Sequence, residues 1–270
     1  MKPIRLMTLL AVILFSPTAN AQQEQVKNTN YHPQHRSGKE MGKVKANIAL
    51  ALNGKTTIDD KKHNLSGPPK DIQVLDDRIE VKIKDQQTTI YFSDIIDDDI
   101  VAQQCHKINP DGLSYRSFTS ELQLKNYTFI FKGAYNCNEF ADDLFFIQYQ
   151  LKEKRYNSEL VNFEPIAKQF RTLKVKPTVS EEQRKYIVQA NHFNQDKLYD
   201  KAIGLYINAI EVDQTAYPAA YSNLALLSAQ TNQFGAAICY MKKYLMLVPD
   251  AEDARSAQDK IYEWEAEIGK

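Results

Sequence analysis

The spacing of apolar residues changes period several times along the chain. Val44, Ile48 and Leu52 recur every four residues, and Ala46, Ala49 and Ala51 favour helix, so Met41 to Leu52 is predicted helical. Asn53-Gly54 ends it with residues that tolerate the left-handed conformation. A polar loop is expected next, closing with Gly67-Pro68-Pro69. The period then drops to two, with Ile72 and Val74 and then Ile79, Val81 and Ile83 on alternate positions. Thr88 to Phe92, Ile100 to Gln104, Leu113 to Tyr115, Phe118 to Leu124 and Tyr127 to Phe131 continue as short strands. Asp76-Asp77, Lys84 to Gln87, Asn109 to Gly112 and Lys125-Asn126 are the turns.

After Gly133 the helical period returns. Phe140, Leu144, Ile147 and Leu151 mark one face of an amphipathic helix. A charged stretch, Lys152 to Asn157, separates it from a second helical piece, Ser158 to Arg171. Lys176-Pro177 reads as a linker, because the residue before proline is pushed away from helix. The expected organisation is a targeting segment at 1–21, a disordered leader at 22–40, a β-rich domain with flanking helices at 41–175 and a helical domain at 176–270. The fold class is therefore α+β with two domains: an antiparallel β-rich unit closed by a helix, then an all-α unit.

The targeting segment rests on Lys2 and Arg5, the apolar run Leu6 to Phe15, Pro17, and the Ala19-Asn20-Ala21 cleavage pattern. The run is too short for a bilayer span, and no later stretch is longer. The mature protein is expected outside the cytoplasm, in the periplasm or secreted, without a stable membrane anchor. Lys plus Arg and Asp plus Glu both number 34, a balance that argues against nucleic-acid binding. In an oxidising compartment two of the three cysteines can pair. Cys105 and Cys137 fall in the same predicted domain and are the candidate bridge; Cys239 lies in a helix and reads as a buried thiol.

Two stretches in the last third match each other at a spacing of 35 residues. Ala190 pairs with Ala225, Leu198-Tyr199 with Gln233-Phe234, Ala202 with Ala237, and Tyr206 with Met241. This resembles the tetratricopeptide repeat, a two-helix unit of about 34 residues. Pro249 holds the family's closing proline position, Gln214 stands there in the first unit, and Tyr244 replaces a usual small residue. Ala251 to Ile268 reads as a capping helix, and the helices before residue 172 are expected to pack against the first repeat. The β-rich order, with the segment DDRIEVKIKDQQTTIYFSDI, resembles pleckstrin-homology-like domains; a plain α+β sandwich is the competing reading. Mixed charge in its first loops gives no phosphate site.

The repeat resemblance implies a concave groove that binds a protein or peptide. By that register Arg184, Ile187, Asn191, Asn194 and Gln195 face it from the first unit, and Ser222, Asn223, Leu226 and Gln230 from the second. Asn191 and Asn223 match asparagines that hold a peptide in clamp-type members, while Ile187 stands where those members have a lysine.

No HExxH, GxSxG, GxxxxGK[ST] or CxxC motif occurs. Cys105-His106 are neighbours on a strand and point to opposite faces. Asp97-Asp98-Asp99 lacks the spaced ligands of a calcium loop, and His32 with His35 lack further ligands. No catalytic residue, metal or cofactor is assigned. An exported interaction module is expected; a ligand-binding protein or hydrolase with its site in the β-rich unit is the alternative.

Overall fold

The structure is a computed structural model that describes residues 25–33, 38–53, 56–108, 115–132 and 134–268. The targeting segment at 1–21 and the turn at 109–112 lie outside the described residues. An antiparallel β-rich region precedes a helical region, an α+β arrangement of two domains.

Strand β1 (Gln25–Tyr31) leads into helix α1 (Met41–Leu52). The leader was expected to be disordered because its side chains have little to bury. Its residues 25–31 are instead a strand, held by a backbone ladder for which polar side chains suffice. Helix α1 buries Val44, Ile48 and Leu52 as its spacing predicts. Asn53 is extended rather than left-handed, and its N–H closes the helix on Ala49 and Leu50.

The expected polar loop contains two strands, β2 (Thr56–Asp60) and β3 (Leu65–Gly67). Among the inward positions of β2 only Ile58 is apolar, since Thr56 and Asp60 are also buried, so alternation gives no signal there. Strands β4 (Pro69–Val74), β5 (Arg78–Ile83) and β6 (Gln86–Tyr91) form a separate three-stranded sheet. Lys84 and Asp85, both at positive φ, make the tight turn between β5 and β6. A short helix, α2 (Phe92–Ile95), turns the chain back to β7 (Val101–Ile108), β8 (Tyr115–Gln123) and β9 (Tyr127–Phe131). The Leu113 to Tyr115 and Phe118 to Leu124 segments are thus one strand, not two, as far as they are described. The larger sheet runs β1-β7-β8-β9-β2-β3. The pairing of β9 with β2 joins the β7–β8–β9 meander to the β2–β3 hairpin in one open sheet.

Helix α3 (Ala134–Thr172) corrects a further expectation: it is one helix of 39 residues, not two pieces. At 1.5 Å per residue it is about 58 Å long. The charged stretch at 152–157 does not interrupt it, because good helix formers exposed to water need no apolar face. Pro165 lies inside it; the carbonyl it leaves unpaired is that of Val161, a residue 69% exposed and so open to water. Cys137, Phe140, Ala141, Leu144 and Ile147 join the core of the β-rich region. Phe163, Ala167 and Phe170, nearer the other end, join a core of the helical region. Between them, Gln148 Nε2 donates to the carbonyls of Ile95 and Asp98, and Arg155 grips Asp97 through two bonds of 3.1 Å.

The helical region comprises α4 (Glu181–Gln195), α5 (Tyr199–Val212), α6 (Ala219–Gln230), α7 (Phe234–Leu247) and α8 (Ala254–Ile268). Helices α5 and α7 begin and end 35 residues apart. So do the turns before them: Lys197 and Asn232 have φ of 59° and 58°. Leu198 N donates to Phe193 O, and Gln233 N to Ser228 O, again 35 residues on. Ala190, Ala202, Ala225 and Ala237 are all fully buried where paired helices meet.

Helix α3 packs on α7 and, through Phe163, against Tyr221 of α6, at a ring separation of 5.3 Å. Its partner is therefore the second hairpin, not the first as expected. Glu159 accepts from Lys243 at 2.7 Å, Arg171 donates to the Met246 carbonyl, and Tyr156 lies over Gly235. The residues of α5 that stand 35 positions earlier are Asp200, Gly204, Asn208 and Glu211, all exposed. The second hairpin has Gly235, Cys239, Lys243 and Met246 there, a set that accepts a helix.

Phe163→Ala is expected to destabilise the protein by about 3–4 kcal/mol, as for removal of a buried aromatic ring. Urea unfolding checks this; an unchanged midpoint would mean that the far half of α3 is not packed.

Candidate functional site

Asn191 on α4 and Asn223 on α6 are brought together by a third residue, Tyr206 of α5. The Tyr206 hydroxyl donates to Asn191 Oδ1 at 2.5 Å and accepts from Asn223 Nδ2 at 3.0 Å. The Tyr206 ring is 1% exposed, wedged between the helices with Ala190, Ala202 and Leu224. Burial, reinforced by Tyr217 and opposed by the Asn223 bond, pushes its pKa up to about 12, so the hydroxyl keeps its proton at neutral pH. One hydroxyl donating to one amide and accepting from the other fixes both orientations. Asn191 keeps its Nδ2 hydrogens and Asn223 its Oδ1 lone pairs, a donor and an acceptor of the kind that peptide backbone requires.

The other predicted groove residues divide. Arg184, Asn194, Gln195 and Gln230 are exposed, as is Leu226 at 46%. Arg184 lies 3.6 Å from Glu181 on its own helix. Ile187 does not belong to the surface: it is 8% exposed and packs with Ala190 and Tyr206. An apolar side chain at that register turns into the hairpin core, where a lysine would have stayed at the rim. Ser222 Oγ is tied to the Ala219 carbonyl.

Two polar groups missed by sequence reasoning, the buried Gln183 and the partly buried Asp213, fix how these helices connect. Gln183, 1% exposed, donates through Nε2 to the carbonyls of Ala209 and Asp213, both at 2.9 Å, and so pins the start of α4 to the end of α5. Asp213 accepts from Thr215 N, Thr215 Oγ1 and Ala216 N, aiming the chain into α6. Burial raises the Asp213 pKa, but these bonds outweigh it and hold it below the ordinary carboxylate value. Neither residue carries a motif. Tyr206 was legible only as a core position of the 35-residue pattern.

The remaining candidates do not converge on a reactive centre. Cys137 is a free thiol, fully buried among the core residues of α3, so the expected bridge to Cys105 is not formed; the side chain of Cys105 lies outside the described residues. Burial raises the Cys137 pKa to about 12 and that of Cys239 to about 11, leaving both thiols protonated. Asp97 pairs with Arg155, and Asp98 accepts from the Lys125 N–H. Among the described residues no three His, Cys, Asp or Glu side chains are grouped to hold a metal. Asp60, buried on β2, accepts from Thr88 Oγ1 and from the backbone of Lys62 and His63, and meets His63 Nδ1 at 2.7 Å. That arrangement ties the β2–β3 turn, in which Asn64 is left-handed. The depression on the outer face of β4–β6, of about 630 Å³, is lined by Asp71, Glu80, Lys82, Gln87 and Thr89. Lys82 is already paired with Asp71 there, at 2.8 Å. No described helix is long and apolar enough to cross a membrane.

In comparisons with known proteins, the chain matches no family model and no curated protein.

Tyr206→Phe should lower stability by about 1 kcal/mol through the lost bridge, with helix content unchanged by circular dichroism. Asp213 gives a pH signature. Its folded pKa is depressed, so its contribution is present at neutral pH and is lost as pH falls through and below the usual carboxylate range. The loss of unfolding free energy between pH 7 and pH 3 should therefore be smaller in Asp213→Asn than in the wild type. Equal losses would remove this role.

Proposed function

We propose that this chain is an exported, non-catalytic docking protein in which two tetratricopeptide repeats and a capping helix hold an extended segment of a protein partner. The observation that carries the reading is the Asn191–Tyr206–Asn223 bridge, which presents an ordered donor and acceptor on neighbouring first helices. The repeat assignment is supported by the duplication, at 35 residues, of the helix limits, of the left-handed turn residue and of the turn hydrogen bonds. Export rests on the sequence of residues 1–21.

Ile187 is buried where clamp-type members carry a lysine, and the groove cation Arg184 lies 3.6 Å from Glu181, so the set for a terminal carboxylate is incomplete. The partner segment is then held by its backbone, with Leu226 offering a small apolar contact. The β-rich region is a support. Its two antiparallel sheets and following helix suit a pleckstrin-homology-like unit, with α3 carrying the repeats on a rigid arm.

The test is crosslinking of the tagged mature protein in its native cell, comparing wild type with the Asn191→Ala, Asn223→Ala double variant. Loss of two polar contacts should reduce capture of a defined partner about tenfold or more, with helix content unchanged by circular dichroism and a stability loss of about 1–3 kcal/mol from the unpaired Tyr206 hydroxyl. Undiminished capture would sink the groove model.

A further inference from the structure

Helix α8 ends the helical array and also continues its inner wall. In α6, Ala220, Leu224 and Leu227 are buried and share a core with Ala202, Tyr206 and Ala209 of α5. In α8, Ala257, Ile261 and Trp264 are buried and share a core with Ala237, Met241 and Tyr244 of α7. The two triads have the same spacing, and the second stands 37 positions after the first. Helix α8 therefore seats on α7 with the rotation that α6 adopts on α5. Positions 37 residues beyond the groove face of α6 then lie on the matching face of α8. Ser222, Asn223, Leu226 and Gln230 are continued in this way by Asp259, Lys260, Glu263 and Glu267.

The two faces differ in charge. Helix α6 carries no Asp, Glu, Lys or Arg. Its groove face offers the Asn223 amide and the exposed side chain of Leu226. The continuing face of α8 has three carboxylates and one ammonium, and Asp259, Glu263 and Glu267 are all exposed. The ammonium is already engaged, because Lys260 Nζ donates to Glu263 Oε2 at 2.7 Å. The three acidic residues recur every four positions and so form a row along the helix. Like charges four apart on a helix repel, a cost that a cationic partner would remove. The groove is neutral where its amides face an extended backbone and negative along one wall.

We propose that the segment docked in this groove is basic: with its backbone on Asn191 and Asn223, it extends lysine or arginine side chains along Asp259, Glu263 and Glu267. The proposal rests on the groove reading above and adds the charge of the partner. Long basic side chains suit an exposed row, since their stems reach across the surface while their charged heads stay hydrated. An acidic segment would set like charges side by side along this wall.

The test pans a phage-displayed library of random decapeptides against the full mature chain at low salt. The proteins compared are the wild type, the Asn191→Ala, Asn223→Ala variant, and the triple variant Asp259→Asn, Glu263→Gln, Glu267→Gln. The triple variant alters exposed side chains only and should keep its helix content by circular dichroism. The wild type should enrich peptides in which Lys plus Arg outnumber Asp plus Glu. The strongest of these, made as a free labelled peptide, should bind the triple variant about tenfold more weakly and with most of its salt dependence gone. Enrichment that survives loss of both asparagines would overturn the groove reading and this proposal with it, as would failure to enrich any peptide. A pool that needs the asparagines but has no basic excess, or a basic excess that the triple variant retains, would overturn this proposal alone.

Discussion

The continuity of helix α3 is the constraint on which the arrangement depends. One end is buried through Phe140, Leu144 and Ile147 in the β-rich core, and the other through Phe163, Ala167 and Phe170 among the helices. A helix cannot bend freely between two such anchors without breaking its own hydrogen bonds, so the two regions hold a set relation. Its middle is pinned as well, by Gln148 to two carbonyls and by the Arg155–Asp97 pair. The second hairpin accepts α3 because Gly235 brings no side chain beneath Tyr156, and because Lys243 meets Glu159. The first hairpin presents Asp200, Asn208 and Glu211 on the matching face and stays open to water.

That asymmetry seats α3 on α7, with a further contact from Phe163 to Tyr221 of α6. Helix α3 takes the outer side of the second hairpin, while Asn191 and Asn223 lie on α4 and α6. The Tyr206 hydroxyl and the Gln183 amide are buried and tie one helix to another, while the partly buried Asp213 carboxylate fixes the turn into α6. Buried polar groups of this kind cost stability unless paired, and once paired they favour one geometry over its neighbours. An ordered amide pair on the surface is the consequence.

Sequence pattern and structure agree where burial is periodic. Helix α1 and strand β5 show their buried faces as regular spacing, and the hairpins show theirs as a 35-residue echo. They part where an element lacks an apolar face. Strand β2 turns Thr56 and Asp60 inward, β1 is held by backbone, and α3 crosses a charged segment between its two cores. Ile187 shows the same limit within the candidate site: its register indicated the groove, and its apolar side chain turned it into the core.

The sequence by itself determined helix α1, the alternating strand β5, the change from β to helix near residue 133, the 35-residue echo of the last hairpins and the positions of Asn191 and Asn223. These follow from local periodicity and from side-chain chemistry, which a linear chain carries openly. Tertiary structure alone decided that α3 is unbroken and seats on the second hairpin, that β1 caps the β7 edge, and that Tyr206 joins the two asparagines. Each of those depends on groups distant in sequence meeting at bonding distance, and no local pattern records which surfaces will meet.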